Sequence, residues 1–263
     1  MPDGDWHHRI AGDLAQAQNP KQLQAQLQSK VDRYYSTPRS DGTPRKVAAV
    51  LMENGKVVTS TFVGTDNSGG KVNENTQFRL GSFSKFMTGL AVDSLVQDPS
   101  VNLDYSTQLI DVFSRAEIED IFGPENYSLA RGITLQQLVD QRTGIANMGP
   151  PDGLNADSKL ELSGDENNMP VTSELMRHCK KTHITFREGF SPAKDRFSYS
   201  NLNATLAGAM MERVTGQPFQ VIMQERVFNP FGMTQSGYDS PDQTGRAYAQ
   251  SYEGSAPRSE FSD

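Results

Sequence analysis

The sequence has 263 residues, a formal net charge of −7, one cysteine, and 35 % of its residues in the apolar set. At roughly 100–200 residues per domain, it can form one large domain or two intergrown ones with a real core. The acidic balance argues against a protein that binds the phosphate backbone of nucleic acids, because such binding needs clustered Lys and Arg. No run approaches the about 18 consecutive apolar residues that a membrane span needs, so no span is predicted.

The first residues, MPDGDWHHR, contain no basic leader followed by an apolar stretch and do not resemble a secretory signal. We therefore expect a cytoplasmic protein. The single Cys179 excludes an internal disulfide and a zinc site built from cysteines alone. It is most simply a small packed apolar residue.

A helix and a β-hairpin are the first predicted elements. Asn19 and Pro20 suit the cap and the first position of a helix, and apolar residues follow at helical spacing. Two β-rich runs at 46–52 and 57–63 flank the pair Asn54-Gly55, which is the strongest hairpin signal in the sequence.

The apolar period then changes from 2 to 3.6, which predicts a helical block. Its first helix begins almost at Ser82 and fades before Pro99. A second apolar cluster lies at 135–139, and a polar stretch at 152–168 is predicted to be a surface insertion because it can bury little. The first helix is predicted to present one apolar face, formed by Phe83, Phe86, Met87, Leu90, Ala91 and Leu95.

Two more helices are predicted near the end of this block. One covers 203–214 and ends at Gly216, and the next opens at Pro218 and stops at Asn229-Pro230. A two-stranded hairpin alone is marginally stable in water. The strands that should complete its sheet are not visible in the sequence.

Ser82 and Lys85 form an S-x-x-K pattern at the start of the first of these helices. Residues three apart lie on the same helical face, within reach of each other. Amide groups at a helix N-terminus favour developing negative charge, and a partly desolvated lysine there could take the serine proton. Ser84 faces elsewhere and is a second-choice nucleophile. The alternative interpretation is an N-cap serine beside a solvated lysine, and this short pattern leaves it open.

Tyr199 and Asn201 form a Y-x-N pattern immediately before a predicted helix. A tyrosine can pass a proton when a nearby ammonium lowers its pKa, and an Asn can donate to a substrate carbonyl while it accepts from a lysine. By themselves, the two residues could equally be a packed ring and a helix cap. The ordered combination of S-x-x-K and Y-x-N, however, arises rarely by chance.

Five segments resemble, in order, successive blocks of the β-lactamase-related serine hydrolases. This superfamily includes class C β-lactamases, DD-peptidases, esterases and acyltransferases. The resemblance runs from about residue 47 to residue 238 and is specific for the superfamily rather than for one activity. The segments are FRLGSFSKFMTG at 78–89, ITLQQLV at 133–139, FSYSN at 197–201, AGAMMERVTGQPF at 207–219 and VFNPFGMTQSG at 227–237.

The resemblance implies an α/β fold, in which an antiparallel sheet flanked by helices is joined to a mostly helical subdomain, as in β-lactamases and transpeptidases. It also implies roles for the motif residues. Ser82 resembles the acylated nucleophile, Lys85 its proton partner, and Tyr199 the general base and leaving-group acid. Asn201 resembles the residue that orients the substrate, and the backbone N–H of Ser82 would be one oxyanion donor.

Three departures from the family pattern stand out. The family usually has a His-Thr-Ser-Gly-like turn where this sequence has LVDQRTG at 138–144, so the local hydrogen bonding must differ. A Pro-Gly pair commonly precedes the tyrosine motif, where this sequence has REGF at 187–190. No Lys-Thr-Gly or His-x-Gly motif follows Tyr199. We therefore expect the N-terminal two-thirds of such an enzyme, with the C-terminal strands of the sheet missing.

The expected organisation is one incomplete domain over 1–263: a helix and hairpin at 1–81, a helical subdomain at 82–240 and a tail at 241–263. We expect a serine hydrolase or acyltransferase that acts on ester, thioester or amide bonds through an acyl-enzyme on Ser82. The alternative is a catalytically impaired member that acts as a binding or regulatory module. The expected partner is a small acyl substrate; no cofactor, metal or nucleic acid is predicted, and the oligomeric state is left open.

Two weaker signals remain. His178, Cys179 and His183 are three possible metal ligands on a short stretch, but the spacing favours a surface or packed cluster over a zinc site. Asn126 and Asn203 match the acceptor pattern for N-glycosylation, which matters only in a secretory route.

Overall fold

The computed structural model describes residues 19–36, 45–147, 171–179, 183–190, 196–238, 247–249, 252–253 and 256–257. Two compact units divide these residues: one extends up to Arg79 and takes in the described residues after Pro241, and the other runs from Leu80 to Tyr238. The predicted insertion at 152–168 lies outside the described residues, as does most of the predicted tail.

The first unit contains the predicted hairpin. Strand β1 (Val47–Glu53) pairs antiparallel with β2 (Lys56–Val63). Asn54 and Gly55 connect them with φ angles of 49° and 74°, the left-handed geometry of a tight hairpin turn. The hairpin prediction is therefore confirmed. A further short pair in this unit consists of β3 (Tyr252–Glu253) and β4 (Ala256–Pro257).

Helix α1 (Pro20–Ser36) packs against β2. Asn19 caps it, because its Oδ1 accepts the amide of Gln22 at 3.0 Å. The side-chain nitrogen of Gln24 donates to the carbonyl of Ser60 at 3.0 Å, and Leu27 is buried. The unit is thus an antiparallel pair with a helix on it, as the α/β fold class predicts.

The second unit is helical. Its helices follow one another as α2 (Ser84–Val96), α3 (Leu109–Val112), α4 (Arg115–Phe122), α5 (Tyr127–Ala130), α6 (Leu135–Val139), α7 (Val171–Cys179), α8 (Asn201–Thr215) and α9 (Phe219–Met223). One-turn 3-10 segments lie at Gly81–Phe83 and Pro124–Asn126, and a π-helical turn at Gln224–Phe228 follows α9. None of the described helices is both long and apolar enough to cross a membrane.

The buried side of α2 differs from the predicted face. Met87, Ala91 and Leu95 are buried as expected, but Phe83 and Phe86 are 55 % and 57 % exposed. Thr88 and Val92 are buried as well. Because successive residues are about 100° apart around a helix, these two positions show that the buried side is rotated away from the two phenylalanines. The prediction of a single apolar face for all six residues was wrong because apolar character alone does not fix which side meets the core.

Helix α8 forms the centre of this unit and packs against α2, α6 and α7. It ends as predicted, with Gly216 in the left-handed conformation at φ 69°. The buried carboxylate of Glu212 on α8 accepts the backbone amides of Val171, Thr172 and Phe219 at 2.7–3.0 Å. Glu212 therefore joins the starts of α7 and α9 to the central helix.

Candidate active site

Ser82 lies in the 3-10 turn Gly81–Phe83 that leads directly into α2, and Lys85 lies in the first turn of that helix. The Lys85 Nζ donates to the Ser82 Oγ across 3.3 Å. Because the 3-10 turn continues into the helix, the three-residue spacing brings both side chains to the same side, as the S-x-x-K pattern predicts.

Tyr199 meets this pair from a segment 117 residues away. Its phenol oxygen lies 2.6 Å from the Ser82 Oγ, and its hydroxyl is 3.0 Å from the Oδ1 of Asn201. The Lys85 Nζ lies 5.0 Å from the centre of the Tyr199 ring. The structure thus brings the four predicted site residues into one hydrogen-bonded cluster.

The environment of Tyr199 lowers the pKa of its phenol. Partial burial acts to raise the pKa of Tyr199, but hydrogen bonds with Lys85 and Ser82 and the positive charge of Lys85 outweigh it, so the net pKa lies below its ordinary value of 10.0. A phenolate within 2.6 Å of a serine hydroxyl can accept its proton. This arrangement can generate a serine alkoxide nucleophile.

The backbone around Tyr199 is held by residues that the sequence analysis did not single out. Arg187 donates through its guanidinium to the Tyr199 carbonyl at 3.0 Å, and Asn147 accepts the Asn201 amide at 3.0 Å. The fully buried Ser200 donates to the carbonyl of Ala146 at 3.1 Å. Among them only Arg187 lies in a segment, 187–190, that departs from the family pattern; Ala146 and Asn147 directly follow the other such segment, 138–144.

Gly144 occupies the turn of that first segment. Its φ is 70°, and a Cβ at this position would lie 1.9 Å from the Phe190 ring. Phe190 stacks on Phe186, which stacks on Phe122, with centroids 5.6 and 5.7 Å apart. The turn therefore requires glycine both for its backbone angle and for the close aromatic contact.

The weaker candidates lie outside the cluster. The side chain of Ser84, the second-choice nucleophile, is hydrogen-bonded to the Tyr238 phenol. Asn203 is fully buried and Asn126 donates to the Phe122 carbonyl, so neither glycosylation pattern lies on an open loop. Within the residues that the structure describes, no group of three His, Cys, Asp or Glu side chains is arranged to hold a metal ion.

A family model described as Beta-lactamase matches residues 31–263. The chain belongs to the beta-lactamase family. This membership confirms the resemblance inferred from the motifs and supports a function of the serine hydrolase or acyltransferase kind.

Curated relatives of this beta-lactamase family chain match it at low identity. Protein flp of Staphylococcus aureus (strain NCTC 8325 / PS 47) is 26 % identical over 237 residues, which covers 88 % of this chain and 42 % of that protein. The unguisins hydrolase ungD' of Aspergillus campestris (strain IBT 28561) is 22 % identical over 183 residues, which covers 69 % of this chain and 31 % of that protein. The chain therefore spans less than half the length of these relatives.

Solved structures agree with the beta-lactamase/transpeptidase-like fold. An octameric penicillin-binding protein homologue from Pyrococcus abyssi superposes with a TM-score of 0.64 at 19 % identity, over 91 % of this chain and 51 % of that one. EstCE1, a hydrolase with promiscuous acyltransferase activity, superposes with a TM-score of 0.58 at 19 % identity, over 80 % of this chain and 53 % of that one. FmtA from Staphylococcus aureus superposes with a TM-score of 0.56 at 20 % identity, over 89 % of this chain and 58 % of that one. The predicted fold class is confirmed.

Proposed function

We propose that this chain carries the nucleophile and the proton-transfer residues of a serine hydrolase or acyltransferase that forms an acyl-enzyme on Ser82. The observation that carries the proposal is the 2.6 Å contact between the Ser82 Oγ and the Tyr199 phenol oxygen, with the Lys85 ammonium beside both. A serine becomes nucleophilic at neutral pH when an adjacent base takes its proton. The substrate is a small molecule with an ester, thioester or amide bond.

Acylation begins when the Tyr199 phenolate accepts the proton of Ser82 and the Oγ bonds to the substrate carbonyl carbon. The carbonyl electron pair moves onto the oxygen, and the backbone N–H of Ser82 is one donor to this oxyanion. When the carbonyl re-forms, the bond to the leaving group breaks, and Tyr199 returns the proton to the departing atom. Ser82 then carries the acyl group and Tyr199 is again a phenolate.

Deacylation repeats these steps with a second nucleophile. Tyr199 takes a proton from a water or an alcohol, which attacks the acyl carbon, and then returns the proton to the Ser82 Oγ as it leaves. Water gives hydrolysis, and an alcohol gives acyl transfer. EstCE1, a structural neighbour, is described as a hydrolase with promiscuous acyltransferase activity, which supports treating the two outcomes as one mechanism.

Asn201 and Lys85 fix the geometry of this cycle. While Tyr199 carries the proton, its hydroxyl donates to the Oδ1 of Asn201, which leaves the Asn201 amide nitrogen available to donate to the substrate carbonyl. Burial acts to raise the pKa of Tyr199, and the hydrogen bond and positive charge of Lys85 act against it and lower that pKa. Lys85 therefore stabilises the base rather than acting as the base.

Reaction with p-nitrophenyl acetate, followed by intact-mass measurement, tests the proposal. We expect the wild-type chain to gain an acetyl group and the Ser82→Ala variant to gain none. Ser84→Ala is the matched control, because it removes a neighbouring hydroxyl outside the cluster, and it should still be acetylated. A folded wild-type chain that is never acetylated, or acetylation that persists in Ser82→Ala, contradicts the proposal.

A further inference from the structure

Gln141 bonds the chain on both sides of the Tyr199 position. Its backbone carbonyl accepts the amide of Ser198 at 2.6 Å, and its side-chain Oε1 accepts the amide of Ser200 at 2.8 Å. Tyr199 is the residue between these two contacts. A shift of Gln141 would therefore move the base that faces Ser82.

The acceptor oxygen of Gln141 is itself fixed by a buried amide. The Oε1 also accepts the Nδ2 of Asn203 at 2.8 Å, and the Oδ1 of Asn203 accepts from the Thr143 hydroxyl at 2.6 Å. Asn203 and Thr143 are almost completely buried, at 0 % and 1 % exposure. Because the Oε1 of Gln141 accepts two hydrogen bonds and Asn203 is bonded through both ends of its amide, the oxygen has one defined position.

The backbone of Gln141 adopts an uncommon conformation for a residue with a long side chain. Its φ is 59°, and among the described non-glycine residues a positive φ occurs at only one other position, Asn54 in the hairpin turn. Asn and Gly enter the left-handed region more readily than Gln. Gln141 therefore has a longer side chain than the residues that this backbone conformation favours.

The rest of the same turn also holds the tyrosine segment. Arg187, whose guanidinium donates to the Tyr199 carbonyl, is bonded through its own amide to the carbonyl of Gly144. Asn147, at the end of the turn, accepts the Asn201 amide. The Tyr-x-Asn segment is thus anchored to one turn, and Gln141 is the member that bonds next to the tyrosine on both sides.

We propose that Gln141 is a positioning residue: through its side-chain acceptor oxygen it sets the place of the Tyr199 phenol against Ser82 and Lys85. The catalytic effect of Gln141 rests on the proposed function, whereas its effect on the position and the pKa of Tyr199 does not. Gln141 does not touch the reacting atoms. It acts by fixing the amide of Ser200, the residue that follows the base.

A pair of substitutions separates the acceptor from the backbone conformation. Gln141→Asn keeps a residue that suits the left-handed φ but withdraws the oxygen by one carbon, whereas Gln141→Glu keeps an acceptor oxygen at the same reach. Gln136→Asn is the matched control, because Gln136 is exposed on α6. The readouts are the rate of acetylation by p-nitrophenyl acetate and the pKa of Tyr199. That pKa is measured by carbon-13 NMR of ζ-labelled tyrosine, with the Tyr199→Phe spectrum as assignment.

We expect Gln141→Asn to lose about 10- to 100-fold in acetylation rate, as displacement of a reacting group by about 1 Å does. We also expect the pKa of Tyr199 in this variant to move up towards about 10, because the phenol leaves Lys85. Gln141→Glu should lie closer to wild type in the acetylation rate at pH values above the pKa of Tyr199, and Gln136→Asn should match wild type in both readouts. Lys85 and Arg187 are charged groups beside Tyr199 and are unchanged in all these variants, but Gln141→Glu adds a carboxylate. The pKa of Tyr199 is therefore compared among wild type, Gln141→Asn and Gln136→Asn only.

An unchanged rate and an unchanged Tyr199 pKa in Gln141→Asn overturn the inference. An equal loss of acetylation rate in Gln141→Asn and Gln141→Glu, measured above the pKa of Tyr199, overturns it as well. The two proposals fail separately. If the wild-type chain is not acetylated but the Tyr199 pKa rises in Gln141→Asn, the proposed function fails and the positioning role stands. If the wild type is acetylated and neither readout responds to Gln141→Asn, only the positioning role fails.

Discussion

In the proposed mechanism, Tyr199 must be deprotonated while Ser82 still carries its proton. The phenol contacts the serine oxygen at 2.6 Å, and the Lys85 ammonium lies 3.3 Å from the same serine oxygen. Burial of the phenol opposes its ionisation, but the bonds from Lys85 and Ser82 prevail and lower the pKa of Tyr199. The lysine thus makes the phenolate available at a pH at which an isolated tyrosine is protonated.

The acylation rate should therefore depend on pH through Tyr199. Below the pKa of Tyr199 the phenol is protonated and cannot accept the Ser82 proton, so the rate should rise with pH and level off above that pKa, which lies below about 10. Lys85→Met removes the ammonium and should shift this rise to higher pH. The measurement is the acetylation rate between about pH 6 and about pH 10, within the range where tyrosine and lysine titrate.

Tyr105→Phe is the control for this pH profile. The Tyr105 hydroxyl donates to Asp93 at 3.0 Å and is not part of the cluster, so its loss should leave the profile unchanged. A wild-type acylation rate that does not vary over the whole range, or a Lys85→Met profile identical to wild type, would argue against Tyr199 as the base.

At the scale of elements, the turn after α6 decides where the tyrosine segment lies. Its residues bond Ser198, Ser200 and Asn201 by side-chain or backbone groups. The turn can come this close to the aromatic stack only because Gly144 has no side chain. Stability and site geometry therefore depend on the same few residues.

We expect Gly144→Ala to destabilise the protein by about 2–4 kcal/mol, because a Cβ would meet the Phe190 ring at 1.9 Å and the φ of 70° is unfavourable for alanine. The measurement is the free energy of unfolding from urea denaturation. Gly132→Ala is the matched control: a Cβ there meets nothing within 4 Å, so the change should stay within about 1 kcal/mol. Equal stabilities of the two variants would show that the turn can relax around an added methyl group.

At the scale of the whole molecule, one continuous apolar core supports the helical unit. It includes Ala91 and Leu95 of α2, Leu138 of α6, Cys179 of α7 and Leu206 of α8. Cys179 has no exposed surface, and burial raises the pKa of its thiol to about 12. Since the sequence contains one cysteine, this thiol reports on opening of the core.

In native buffer at about pH 8 we expect Cys179 to react with a thiol reagent such as dithionitrobenzoate at least about a thousand-fold more slowly than in urea. Thiolate is the reactive form, and a pKa of about 12 leaves far less of it than the ordinary value of about 8.5. The labelling rate as a function of urea should follow the unfolding transition. Rapid labelling of the native protein would mean that α7 does not pack as described.

The sequence by itself determined what depends on neighbouring residues. The hairpin turn at Asn54-Gly55, the cap at Asn19 and the stop at Gly216 follow from backbone preferences, and the approach of Lys85 to Ser82 follows from helical spacing. The roles of Tyr199 and Asn201 came from a family resemblance, since nothing local joins them to Ser82.

Tertiary structure decided what depends on packing. The contact between Ser82 and Tyr199 spans 117 residues, and the anchoring of that tyrosine by Gln141 spans about half as many, so neither can follow from local spacing. Packing also decided which side of α2 meets the core, and Phe83 and Phe86 are exposed as a result. The physical reason is that periodicity identifies which residues can share a face, whereas the direction of that face is chosen by the elements that bury it.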